Sequence, residues 1–222
     1  MAKLHEVYGV EQNEFFFSKL YEARLKIFNK INRHCKKNYQ IIDIGTTPVL
    51  SIHENFFLNH YKYKNNITCL SNQNLGNLKK KFPKLKTIQG DGRNTKLPDN
   101  SYDIVISNAT LEHVGNFKNQ CKFVSELYRI AKKKCIIATP NRYYPIDTHT
   151  MLPFIHWLPK QIHRKILNFL KYDFLAKEKN LNLVSEKDLK KICKFNNIKN
   201  YKIDSINFYN FKSNLILVIN KN

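Results

Sequence analysis

Glycine is scarce in this chain of 222 residues, at six, alongside seven prolines, two methionines and one tryptophan. That scarcity excludes a collagen-like or Gly/Pro-rich low-complexity chain. No apolar run approaches the roughly 20 residues that span a bilayer. The opening Met1–Glu6 lacks the apolar core of a secretion signal, so a soluble, cytoplasmic protein is expected. Cysteine is sparse and odd in number, at positions 35, 69, 121, 135 and 193, with no CxxC pair and none at zinc-ligand spacing near a histidine. All five read as reduced structural residues, and no metal site is expected.

Acidic residues are few: 17 against 38 basic ones, a net charge of +21. Only six of the basic residues are arginine, the side chain best suited to bidentate phosphate and base contacts. The excess therefore reads first as a solvated lysine-rich surface rather than a nucleic-acid interface, with peripheral membrane contact the remaining use. What is present is a globular composition, 42% hydrophobic and 13% aromatic. At roughly 150 residues per domain, one domain with an elaborated lid is the expectation.

Short apolar runs alternate with longer amphipathic stretches. Phe16, Leu20, Ala23, Ile27 and Ile31 predict a helix over about 11–33. Strands are expected at 40–44, 66–70, 86–89, 102–107 and 135–139. Helices are expected from Pro48 through Leu58, over 75–82 and over 117–132. Residues 142–175 break the rhythm and read as an insertion after the fifth strand. Ser185, followed by Glu186 and Asp188, N-caps a helix, and strands at 203–206 and 215–219 suggest a closing hairpin. The pattern predicts an α/β fold: a doubly wound, mainly parallel seven-stranded sheet over a single domain, 1–222, with its core at 38–141. Such sheets bind ligands beyond the carboxyl ends of their strands.

The segments at those ends carry the chemistry. Asp43-Ile44-Gly45-Thr46-Thr47-Pro48 is a small-residue turn of the kind that lets backbone N–H groups face a nucleotide-type ligand, though a Rossmann fingerprint would hold three glycines. Gly90-Asp91-Gly92 follows the third strand. Leu97-Pro98-Asp99-Asn100-Ser101-Tyr102-Asp103 leads into the fourth, which ends in Asn108-Ala109-Thr110-Leu111-Glu112-His113-Val114.

Taken together, these motifs resemble the class I S-adenosylmethionine-dependent methyltransferases of the small-molecule ("type 11") kind, over about residues 38–141. The resemblance implies S-adenosyl-L-methionine as cofactor. Gly45, Thr46 and Thr47 would form the turn against its methionyl part, with Asp43 ordering the loop and the ammonium group. Asp91 would accept from the adenine amino group, the Gly92 N–H would meet the ring, and Asn108 and Ala109 would line the methionyl pocket. Two positions depart from the pattern: Thr47 and Pro48 stand where small residues, often glycine, are usual, and Leu70-Ser71-Asn72 ends the second strand without the acid that grips the ribose. Asn72 would take that place without the strength of a charged acceptor.

After the fifth strand, Thr139-Pro140-Asn141-Arg142-Tyr143-Tyr144-Pro145-Ile146-Asp147-Thr148-His149 and Leu152-Pro153-Phe154-Ile155-His156-Trp157-Leu158-Pro159 resemble an insertion of methyltransferases often tied to cell-surface glycan or lipid pathways. Arg142, Tyr143 and Tyr144 are candidates for substrate contact. A hydroxyl acceptor benefits from a base, and His149 and His113 are the two candidates. Ile162, Ile166, Phe169, Leu170 and Phe174 form a stripe that either packs a lid helix on the domain or rests on anionic lipid.

The expectation is methyl transfer to a small-molecule acceptor, such as a hydroxyl of a glycan, lipid or phenolic intermediate. The alternatives are a cofactor-binding but inactive regulatory or scaffold protein, and a nucleic-acid methyltransferase. Against the last, Asn108-Ala109-Thr110-Leu111 stands where many base-methylating enzymes carry Asn/Asp-Pro-Pro-Tyr/Phe.

Overall fold

The computed structural model describes residues 14–51 and 54–221, with side chains described from residue 21 onward. The start of the first expected helix, 11–13, and the chain's opening therefore lie outside the described residues.

The elements run α1 (Glu14–Asn32), β1 (Ile41–Ile44), α2 (Phe56–His60), β2 (Ile67–Ser71), α3 (Gly76–Lys81), β3 (Lys86–Gln89) and β4 (Tyr102–Asn108). They continue with α4 (Phe117–Ile130), β5 (Ala131–Pro140), α5 (Lys160–Phe169), α6 (Glu186–Phe195), β6 (Tyr201–Phe208) and β7 (Phe211–Asn220). The seven strands form one sheet in the order β3-β2-β1-β4-β5-β7-β6. β1 to β5 are all parallel, while β7 enters antiparallel between β5 and β6. The expected α/β class, the seven strands and the single reversed strand are all present.

Apolar alternation along the strands builds a core on each face of the sheet. Ile42, Ile44, Val105, Cys135 and Ile137 meet α4 and α6 through Val124, Leu127, Leu189 and Ile192. Ile41, Ile104, Ile106, Ile136 and Ala138 belong to the other core, with Ile27 and Ile31 of α1 and Phe57 and Leu58 of α2. Central parallel strands covered on both faces read as near-continuous apolar runs, and β1 is buried throughout. Helix starts follow local capping chemistry. The Asn116 side chain accepts the Asn119 N–H ahead of α4, and Ser185 with Asp188 closes a capping box on α6.

Two expectations fail locally, and one open alternative is narrowed. Pro48 opens no helix among the described residues: Asn55, at φ 48°, clasps Thr47 through its N–H and its carbonyl, and α2 starts only at Phe56. β5 begins at Ala131, four residues before the apolar run, because Lys132–Lys134 sit on solvated positions of an otherwise buried strand. α5 ends at Phe169 and presents the expected apolar stripe outward: it buries His163 and Leu167, while Ile162 and Phe169 are exposed. Of the two expectations for that stripe the outward one holds for Ile162, Phe169, Leu170 and Phe174, while Ile166 is partly buried. All five cysteines are free, and four are buried.

Candidate active site

Because β1 to β4 run parallel, the turns that follow them open along one edge of the sheet. That edge gathers Gly45–Thr47, Asn72, Asp91–Gly92 and Asn108–Ala109. Gly45 sits at φ +99°, and an added Cβ would lie 2.0 Å from the Thr110 hydroxyl, so only glycine fits there. Thr46 is buried, its hydroxyl donating to the Asp43 carbonyl at 3.1 Å. Asp43 itself is buried, and burial pushes its carboxyl up to about 7. Asn72 is exposed just beyond β2.

Asp91 is half-exposed and grips Arg93. The carboxylate accepts the Arg93 backbone N–H at 2.8 Å and its guanidinium at 2.6–3.1 Å. These bonds hold its carboxyl below the usual range. Gly92 is a packing glycine: a Cβ there would fall 2.6 Å from Phe123 and 2.8 Å from Ile44.

Beyond β4 and β5 a second group converges. Leu111–His113 form a single 3-10 turn that buries Glu112 completely. The Thr139 hydroxyl, on β5, donates to Glu112 Oε2 at 2.9 Å, while Oε1 has no hydrogen-bond partner. His149 comes down from the insertion with its side chain 11% exposed. Its Nδ1 meets Asp147 Oδ1 at 3.0 Å, and the same oxygen accepts its backbone N–H. Thr150 donates to the other Asp147 oxygen at 3.0 Å. His113 Nδ1 meets the Asn180 carbonyl at 2.7 Å.

A carboxylate and a carbonyl only accept, so both histidines must carry hydrogen on Nδ1. Their Nε2 atoms face each other at 3.3 Å, as bare lone pairs while both rings are neutral and as a His149 N–H donated to His113 once His149 is protonated, with Glu112 Oε1 at 3.9 and 4.0 Å. Burial opposes charge on His149, but the Asp147 hydrogen bond and charge, aided by Glu112, raise it above its ordinary value. Desolvation, and with it the His149 charge, lowers His113. Asp147, despite its burial, is pulled down to about 2 by His149 and Thr150.

His113 and His149 are thus brought together from positions 36 apart, as a pair rather than as rival bases. Asp147 does orient the His149 ring. The proposed acceptor residues separate: the Arg142 guanidinium ties down the insertion by donating to the His156 and Leu158 carbonyls. Tyr144 uses its carbonyl to hold His156 and Trp157. Tyr143 alone of the three is exposed. Glu112, Thr139 and Asn180 received no role from sequence. Glu112 stood inside the Leu-Glu-His motif, but its burial beneath β5 left no local trace.

Residues 55–139 match the family described as a methyltransferase domain. No curated protein matches the chain. Three of the most similar solved structures share its fold. One is a SAM-dependent methyltransferase from Thermotoga maritima, with TM-score 0.60, 14% identity and 94% of each chain covered. Another is magnesium protoporphyrin IX methyltransferase from Synechocystis with bound SAH, with TM-score 0.60, 13% identity, 98% of this chain and 92% of that one. The third is a SAM-dependent methyltransferase from Aquifex aeolicus, with TM-score 0.59, 13% identity and 99% of each chain covered.

Strand order and domain match together define a class I methyltransferase fold. Residues 55–139 thus match a methyltransferase domain, and the whole chain has the fold of enzymes whose cofactor is S-adenosylmethionine. The donor set suits it: a buried carboxyl, amides and a half-exposed carboxylate gather where a cationic, adenosine-bearing molecule needs acceptors. Among the described residues no helix is long and apolar enough to cross a membrane.

Proposed function

We propose that this enzyme methylates a hydroxyl oxygen of a small glycan, lipid or phenolic acceptor, with His149 taking the proton. One observation carries the reading: the Asp147–His149–His113 group lies just past β4 and β5, with both Nδ1 atoms engaged and both Nε2 lone pairs turned inward. Asp147 stabilises the imidazolium that forms when His149 accepts the hydroxyl proton, and His113 sets the polarity of the same space. Methyl transfer demands alignment and exclusion of water more than covalent help from the protein. When bound, S-adenosylmethionine supplies a methyl group already activated by its sulfonium.

On the cofactor side, Asp43 would meet the ammonium group, whose charge suits a carboxyl that burial alone leaves half protonated near neutrality. Gly45, Thr46 and Thr47 would turn around the methionyl part, with Asn108 and Ala109 as its walls. Asn72 would hold the ribose, and Asp91 the adenine amino group with the Gly92 N–H beside the ring. Arg93 takes part of the Asp91 acceptor capacity and so tempers that contact. On the acceptor side Tyr143 is exposed and would touch the substrate, while Arg142 and Tyr144 would hold the insertion beside it.

The test is turnover of hydroxyl acceptors by His149→Ala. A general base contributes about 10²–10⁴-fold, so turnover falls by that factor while cofactor affinity, measured by calorimetry, stays unchanged. A fully active variant refutes the role of His149. Wild-type protein that binds cofactor but turns over no acceptor supports instead a cofactor-binding regulatory protein.

A further inference from the structure

We propose that Glu112, His113 and His149 form a binding site for one divalent transition-metal cation. Three facts converge on it. The ligand atoms, two imidazole Nε2 and one carboxylate oxygen, all lie within 4.8 Å of one another. The two nitrogens are 3.3 Å apart, and two nitrogens each about 2.05 Å from one tetrahedral ion are separated by about 3.3 Å. The third atom, Glu112 Oε1, belongs to a fully buried side chain and has no hydrogen-bond partner. Such an orphan carboxylate oxygen, beside two facing imidazole nitrogens, is unfavourable while both rings are neutral, and either a proton on His149 or a bound metal cation resolves it.

The surroundings are those of a ligand shell. Each histidine is fixed in the tautomer that frees Nε2, one by the Asp147 carboxylate and the other by the Asn180 carbonyl. Thr139 anchors Oε2, so Oε1 can swing about that anchor by the roughly 0.6 Å that closes the coordination distances. Four groups surround the site: Asp147 and Thr150 from the insertion, Thr139 from β5 and the Asn180 carbonyl. They add acceptors and hydroxyls but no competing cation. Two imidazoles with one carboxylate select zinc, iron(II), manganese or cobalt over calcium or magnesium. Three protein ligands leave a coordination position open, on the side where His113 is 37% exposed.

The consequence for catalysis rests on the acceptor reading above, whereas the binding does not. Cation and proton compete for the same lone pairs. With the cation in place, an acceptor hydroxyl would bind at the open position and lose its proton to water, not to His149.

The experiment uses chelator-stripped full-length protein titrated with cobalt(II), followed by calorimetry with zinc. Cobalt reports its ligands through its visible spectrum, and a near-ultraviolet thiolate band would betray a cysteine. One ion per chain with a nitrogen/oxygen spectrum is expected, weakened at least tenfold by Glu112→Gln and at least tenfold by His113→Ala. Circular dichroism checks that each variant is folded, and the isosteric Glu112→Gln covers the case in which the alanine variant is not. Absence of binding, a thiolate spectrum, or undiminished binding in the folded variants overturns the proposal. A wild type that binds no ion yet loses methyl transfer with His149→Ala overturns it and leaves the base reading standing. A bound ion without hydroxyl methylation upholds this site and ends that reading.

Discussion

Replacing Glu126 by glutamine tests how the loop carrying Asp91 and Gly92 is held. Glu126 projects from α4, its side chain only 11% exposed. Its Oε1 accepts the Thr95 N–H at 2.7 Å, the Thr95 hydroxyl at 2.6 Å and the Arg129 guanidinium at 2.8 Å. Its Oε2 accepts a further Arg129 N–H at 2.8 Å. Arg129 also reaches Asp99 and the Leu97 carbonyl, so this one helix residue pair fastens 95–99 to the domain.

The Arg129 hydrogen bonds, against the opposing cost of burial and with help from Thr95, pull the Glu126 carboxyl from its usual 4.5 down to about 2. Each unit is worth about 1.36 kcal/mol, giving roughly 3 kcal/mol before screening. Arg129 is 35% exposed, which reduces the figure to about 2 kcal/mol. The sign follows from a carboxyl depressed in the folded state. The stabilisation is complete above pH 4.5 and disappears as pH falls towards 2.

Urea unfolding of wild type and Glu126→Gln should therefore differ by about 2 kcal/mol at pH 7, with the gap closing between pH 4.5 and 2. Cofactor affinity should weaken severalfold as the Asp91 loop loosens. A gap of the same size at every pH would refute the electrostatic argument and leave only lost packing.

Gly45→Ala forces a Cβ onto Thr110 at a positive φ, so instead of the gain of about 0.4–1 kcal/mol seen at an unstrained glycine site it should destabilise by more than that amount and abolish cofactor binding, checked by thermal unfolding and calorimetry. Asp91→Ala should weaken cofactor binding by about ten- to a hundredfold, since a hydrogen bond to a charged group contributes about 1.5–3 kcal/mol; unchanged affinity would remove Asp91 from the adenine site. Thr139→Val leaves the second Glu112 oxygen buried without a partner and should cost about 1–3 kcal/mol in denaturant unfolding.

The order of the five parallel strands was legible because each is a short apolar run followed by a turn and an amphipathic stretch. Ser185 was legible as a cap because capping is local chemistry. The edge holding Gly45, Asp91 and Asn108 followed from topology, since parallel strands deliver their ends together. What escaped was long-range. Nothing near Glu112 announces that Thr139 covers it, and the meeting of His113 with His149 depends on how the insertion descends. The outward stripe of α5 escaped for the same reason: periodicity shows that a helix has two faces, and tertiary packing decides which is buried. Here His163 and Leu167 took that place and left Phe169 outside.

The base of the insertion is pinched. Asn141 bridges in parallel to Val184, and the Arg142 N–H donates to the Val184 carbonyl at 2.9 Å, so the chain leaves and re-enters the sheet domain at neighbouring points. A closed loop of this kind has an entropic cost that grows slowly, by about 0.6 kcal/mol for each doubling of length. Residues 142–184 therefore form a cassette closed at its base and tied to the scaffold near its end, where the Asn182 N–H donates to the Glu112 carbonyl and the Asn180 carbonyl meets His113 Nδ1. His149 travels with that cassette, whereas Glu112 and His113 stay with the scaffold. Exchange of the insertion between relatives would thus rewrite half of the histidine pair and retain the other half.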